Sequence, residues 1–271
     1  MRLGNLLYFA VNAPGLVLGT PLSALHSAIW KKHARGNLSA PLHRCYFCYS
    51  TSTGRGMAAL QASRRCIGKI SRSSTVFFAC DIQERFRDLI YNMPAVISTA
   101  KFMLDVSQEL GVPCIATEQY PKALLHTVPE LNIGKTAEEG QIDVPIFHKK
   151  KFSMCTDQVM EEMKKTLPGT NGSIVLFGIE AHVCVTQTCL DLLALGYDVH
   201  IVCDGVSSQK PHDRAVALQR MQQSGAFLTT AEQVTFQLLE TADDDKFKAV
   251  SYLVKRRNTD GTNTFSTMST L

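Results

Sequence analysis

Three residues of this 271-residue chain combine a reactive side chain with a position that makes it usable. Asp81 follows the apolar run Thr75-Val-Phe-Phe-Ala-Cys80, and Lys149 follows Val144-Pro-Ile-Phe-His148. Cys184 comes shortly after Ser173-Ile-Val-Leu-Phe-Gly178. If the runs are strands of one sheet, their ends converge on one crevice. A carboxylate there can take the thiol proton, an ammonium can stabilise thiolate and carboxylate, and the sulfur can attack a carbonyl carbon. Cys184 also falls in the first turn of an expected helix, where unpaired N–H groups favour a thiolate. Taken singly, each residue has an ordinary reading. A strand-end Asp caps a turn, Lys149, Lys150 and Lys151 form a solvated edge, and a Cys in an apolar helix packs, as Cys189 is expected to do.

The elements that must position them are legible from Ser73 onward. Strands are expected at 75–80, 113–117, 144–148, 173–178 and 198–203, with a short one at 226–229. Helices are expected over 94–110 with Gly111 as a stop, 156–166 with Thr156 as N-cap, 182–195 and 213–224, followed by two more helical segments. Continuous apolar strands alternating with helices predict a doubly wound α/β domain: a six-stranded parallel sheet, Rossmann-like, with helices on both faces. Ligand chemistry then belongs at the carboxyl ends of the strands. Neither G-x-G-x-x-G nor G-x-x-x-x-G-K-[ST] occurs, which removes the main support for dinucleotide and P-loop readings.

The set of motifs resembles the isochorismatase-like cysteine hydrolases, and among them the eukaryotic isochorismatase domain-containing proteins. The resemblance runs from about Ser73 to Asn258. It rests on Asp81-Ile-Gln83, Thr117-Glu-Gln-Tyr-Pro121, Lys149-Lys-Lys-Phe-Ser153 and Gly178-Ile-Glu-Ala-His-Val-Cys-Val-Thr-Gln-Thr188, supported by Asp204-Gly-Val-Ser-Ser208 and Ser224-Gly-Ala-Phe227. It implies an Asp81-Lys149-Cys184 triad, a cis peptide between Ile179 and Glu180, and an oxyanion hole from the N–H groups of Glu180 and Cys184. Strand alternation puts Lys149 and Lys151 on one face, and the family's spacing to the motif serine selects Lys149. His182 lies two residues from Cys184, so the two side chains diverge on a helix. It is expected as a wall of the substrate pocket, with Gln83, Phe86, Tyr120 and Phe152. Asp204 is expected to cap a turn.

Two departures from the wider superfamily matter. Its metal-binding nicotinamidases carry Asp and His ligands after the second strand, where this chain has Thr117-Glu-Gln-Tyr-Pro121 and His126 standing alone. No metal and no cofactor are therefore expected. True isochorismatases generally lack the nucleophilic cysteine, so Cys184 points to a metal-independent hydrolase of small amide or other C–N substrates, working through a thioester. The competing readings are a silent binding or regulatory member and a redox-sensing thiol.

Composition bounds the remainder. The chain is 45% hydrophobic and 19% charged, which excludes disordered, collagen-like and multi-span membrane classes. Residues 1–80 hold ten Lys/Arg and no acid, whereas the rest carries a net −6, so the overall +4 is no argument for nucleic acid. Nine cysteines without framework spacing suit a reducing, intracellular setting. Residues 1–72 read as a basic extension: a mitochondrial presequence, a segment upstream of a start at Met57, or a signal or anchor. Cys45-Tyr-Phe-Cys48 beside His43 has no second ligand pair at zinc-finger spacing. The hydrolase domain is expected over 73–258, with 259–271 a disordered tail. Expected partners are a small-molecule substrate and a homo-oligomer, with membrane contact only if the N-terminal segment is retained. The expected location is mitochondrial or cytoplasmic.

Overall fold

The computed structural model describes residues 67–134, 141–167 and 172–259. The extension, its C-x-x-C and the tail beyond 259 lie outside them. Among the described residues there are eight strands: β1 (Thr75–Cys80), β2 (Cys114–Gln119), β3 (Ile133–Gly134), β4 (Ile142–Asp143), β5 (Ile146–Lys149), β6 (Ser173–Ile179), β7 (Asp198–Ser207) and β8 (Phe227–Thr229). The helices are α1 (Met93–Leu110), the single turn α2 (Pro121–Leu124), α3 (Asp157–Thr166), α4 (Thr186–Ala194), α5 (Pro211–Gln223), α6 (Ala231–Leu239) and α7 (Phe247–Thr259). Six strands form one parallel sheet in the order β5-β2-β1-β6-β7-β8, and β3 pairs with β4 separately. The order reverses between β1 and β6, the switch point where a crevice opens beyond the strand ends.

Alternation along the strands explains the two cores. Phe77, Ala79, Val175 and Phe177 face α1, α6 and α7, whereas Val76, Phe78, Ile174 and Leu176 face α3, α4 and α5. Every residue of β1 and β6 is buried, which is why these strands read as unbroken apolar runs. Helix ends follow local chemistry: Thr156 Oγ1 accepts the Val159 N–H at 3.4 Å, and Gly111 closes α1 at φ 66°. Gly178 is obligatory at the switch point. Its φ is +118°, and a Cβ there would lie 2.1 Å from the Cys80 carbonyl oxygen.

The domain begins earlier than expected. Ile70 is buried in the first core, and Arg72 donates from Nε to the Leu238 carbonyl at 2.9 Å and pairs with Asp244 at 2.6 Å. β7 also runs four residues past Cys203. Asp204 therefore lies within a strand rather than at a turn. Its Oδ1 accepts the Ala231 N–H at the start of α6 (2.9 Å) and its Oδ2 takes Arg257 Nη2 (2.6 Å), so it fastens α6 and α7 to the sheet.

His200, in β7, is buried against Phe227, with ring centroids 5.0 Å apart, and its Nε2 has no hydrogen-bond partner among the described residues. Burial pushes its pKa down to about 4. Between that value and the unfolded one near 6.5, only the unfolded chain takes the proton, so stability is full above pH 6.5 and falls as pH drops towards 4. The expected loss is on the order of 3 kcal/mol. Urea unfolding at pH 7 and pH 4.5 should show this, and His200→Phe should flatten the difference.

Candidate active site

Asp81 is the first residue beyond β1. Its backbone sits at φ 51°, a conformation that Asp tolerates better than most residues, and its N–H still reaches the Thr117 carbonyl of β2 at 3.1 Å. The carboxylate is thereby aimed back over the strand ends. Oδ1 accepts Thr117 Oγ1 at 2.8 Å and Oδ2 accepts Lys149 Nζ at 2.6 Å. Lys149 ends β5 opposite Gln119 of β2 in the ladder. Its ammonium, fully buried, donates to Asp81, to Gln119 Oε1 at 2.8 Å and to the Phe152 carbonyl at 2.8 Å, which uses all three protons. Burial works against that charge, but Cys80, Asp81 and Cys184 outweigh it and hold the Lys149 pKa above its ordinary value.

The other two lysines are elsewhere. β5 ends at Lys149, so strand alternation stops there. Lys150 is exposed, with Nζ 5.5 Å from the Tyr120 ring centroid, and Lys151 reaches Asp191 at 2.9 Å.

Cys184 lies in a wide, π-helical turn (Ala181–Val185) that precedes α4, rather than in a regular first turn. The peptide Ile179–Glu180 that leads into it is cis. Cys184 is 7% exposed. Thr188 holds the turn: its hydroxyl donates to the Cys184 carbonyl at 2.6 Å and accepts the Met154 N–H at 2.8 Å. The cysteine's turn is thus tied to the loop that follows Lys149. The thiol of Cys80 lies against that of Cys184 and 3.6 Å from Asp81 Oδ2. Burial, the Cys184 contact and the Asp81 charge raise the Cys80 pKa, so this sulfur stays a neutral thiol.

The expected pocket walls separate into two groups. Gln83 is a correction: it is wholly buried, its amide donating to the Gln119 and Leu125 carbonyls (3.1 and 2.6 Å) and accepting the Gln119 N–H (2.8 Å). It braces the loop after β2 instead of lining a cavity. Phe86 is half-buried against the first core. Tyr120 and Phe152 are exposed, at 44% and 42%. His182 turns its Nδ1 to Ser208 Oγ at 3.0 Å. Glu180 accepts the Gln209 N–H at 3.1 Å.

Sequence reasoning passed over Thr117, Gln119 and Cys80 as partners of the pair. Thr117 and Gln119 were visible in the Thr117–Pro121 motif, where strand alternation turns both to the face of Lys149. Cys80, the last residue of an apolar strand, is also a neighbour of the Cys184 thiol. His126 is a second correction, for it does not stand alone. Its Nδ1 lies 3.0 Å from Glu118 Oε2, and His148 Nε2 lies 3.2 Å from the same oxygen.

Comparison with known proteins agrees with this architecture. The isochorismatase domain family matches residues 75–233. The chain is 47% identical over 193 residues to isochorismatase domain-containing protein 2 of Xenopus laevis, covering 71% of this chain and 89% of that one. It is 44% identical over 199 residues to the secreted isochorismatase effector Isc1 of Phytophthora sojae, covering 73% and 93%. Among solved structures, the MAR1 ribonuclease of Caenorhabditis elegans is similar with 41% identity and a TM-score of 0.65, over 75% of this chain and all of that one. With that domain match, these identities and the sheet order just described, the chain belongs to the isochorismatase family.

Proposed function

We propose that the protein is a cysteine hydrolase of small amide or other C–N substrates, working through a thioester on Cys184 without a metal in the chemical step. The observation that carries this reading is the buried Asp81–Lys149 pair, 2.6 Å long, with the Cys80 and Cys184 thiols in its field. The family supports a hydrolase; the steps below are the chemistry that these residues suit.

The Cys184 thiol passes its proton to Asp81, and Lys149 offsets the charge that the sulfur gains. The sulfur attacks the carbonyl carbon, and the new oxyanion takes hydrogen bonds from the backbone N–H groups of Glu180 and Cys184. Collapse breaks the C–N bond, and the amine leaves with the proton held by Asp81. Water then attacks the thioester while Asp81 accepts its proton, and release of the acid restores the thiol. The name of the C. elegans relative suggests phosphodiester cleavage as an alternative. That chemistry needs both a general base and a separate general acid, whereas the site offers one carboxylate and an ammonium whose three protons are already donated. One contact favours a second reading, a redox thiol: the Cys80 and Cys184 side chains lie against each other, and a peroxide would supply the oxidant to join them.

Hydrolysis should be screened over amides, carbamoyl compounds and ureido acids. Cys184→Ala should keep the far-UV circular dichroism of the parent and lose any hydrolysis by at least about a thousandfold; activity within tenfold of wild type would remove the cysteine mechanism. Exhaustive chelation should leave the rate unchanged.

The lysine assignment has its own test. An ammonium beside a thiolate commonly lowers its pKa by a unit or more, so Lys149→Met should slow iodoacetamide labelling of Cys184 at pH 7 by roughly tenfold or more. Lys151→Met, whose partner is Asp191, should leave labelling unchanged. Circular dichroism must accompany Lys149→Met, because removing one partner of a buried pair costs about 3–5 kcal/mol.

A further inference from the structure

On the opposite face of β2 and β5 from Lys149, three metal-capable groups meet. Glu118 and His148 are ladder partners, and each sits next in sequence to a residue of the buried pair's surroundings, Gln119 and Lys149. Alternation therefore turns Glu118 and His148 away from Asp81. The loop after β2 folds back and adds His126. The nitrogens of His126 (Nδ1) and His148 (Nε2) lie 3.0 and 3.2 Å from Glu118 Oε2, and one donor atom from each residue lies within 4.8 Å of the others.

The carboxylate is held in place for this. Glu118 is buried, and its other oxygen accepts the Thr127 N–H at 2.7 Å and the Thr127 hydroxyl at 2.9 Å. Although burial opposes the charge, these bonds and His126 outweigh it and hold the Glu118 pKa below the ordinary carboxylate value. The imidazoles are 75% and 61% exposed, so an ion can enter from solvent. Beyond them opens a cavity of about 520 Å³, lined in part by Tyr120, Lys122, His126 and His148. Lys149 and Lys150 also line it; Lys149 is buried and committed to Asp81, and Lys122 and Lys150 are exposed and screened by water.

We propose that Glu118, His126 and His148 form a binding site for one divalent transition metal ion of the zinc class. Two imidazoles and one carboxylate are the donors such ions take, whereas magnesium and calcium prefer all-oxygen sets. Ligand atoms bound at about 2.0–2.2 Å sit roughly 3 Å or more apart when adjacent in a coordination polyhedron, as the two contacts to Oε2 already are. Three protein ligands leave at least one position open towards the cavity. Without an ion, a nitrogen of each ring lies against the same carboxylate oxygen, where a metal ion would sit between them. The same cavity touches Lys149, so the site opens beside the buried pair, but none of its three ligands belongs to the proposed thiol chemistry and it does not require that chemistry.

The test uses full-length protein, stripped with chelator, desalted and titrated with zinc chloride by isothermal calorimetry at pH 7.5. The wild type should bind one equivalent that is lost, or weakened tenfold or more, in both His126→Ala and His148→Ala. Those histidines are exposed, so the variants should retain the parent circular dichroism. Cys184→Ala should keep that equivalent. Equal binding by wild type and both histidine variants, loss in Cys184→Ala instead, or no binding by the wild type would each overturn the site.

Discussion

A buried ammonium has few tolerable surroundings, and Lys149 has been given all of them at once. Its three protons go to a carboxylate, an amide oxygen and a backbone carbonyl, supplied respectively by the end of β1, the end of β2 and the loop after β5. Any of these left out would strand a charge or a polar group away from water. The strand ends must therefore stay in register, and the sheet order that brings β5, β2 and β1 together is the order the site demands. Asp81 answers with its left-handed backbone, and Thr117 completes its shell.

The same constraint reaches the sulfur. Thr188 joins the turn of Cys184 to Met154, three residues after Lys151, while Gly178 lets β6 approach β1 closely enough for Cys184 to meet Cys80. Two thiols share one field. Cys80 is kept neutral by burial and by the carboxylate beside it, whereas Cys184 lies at the crevice, slightly exposed.

What could be read from the sequence was what depends on local pattern. Apolar runs bounded by helices gave the parallel sheet, and the family resemblance singled out Lys149, the lysine that is buried against Asp81. What could not be read depended on register or on distant partners. Gln83 looked like a pocket residue because it follows Asp81 closely, but the fold spends its amide on the loop after β2. Asp204 sits before a glycine, a turn signal, yet its carboxylate is needed 27 residues on, at Ala231. His126 looked solitary because His148 reaches it only through the pairing of Glu118 with His148.

In the proposed reaction the buried pair makes Cys184 a more reactive nucleophile than an ordinary thiol. Labelling of the wild-type protein with iodoacetamide across pH 5–9, resolved by peptide mass spectrometry, tests this directly. Cys184 should be modified first and faster than a free small-molecule thiol, while Cys80 stays unmodified. Labelling of Cys184 at or below the rate of the free thiol throughout that range would contradict the account.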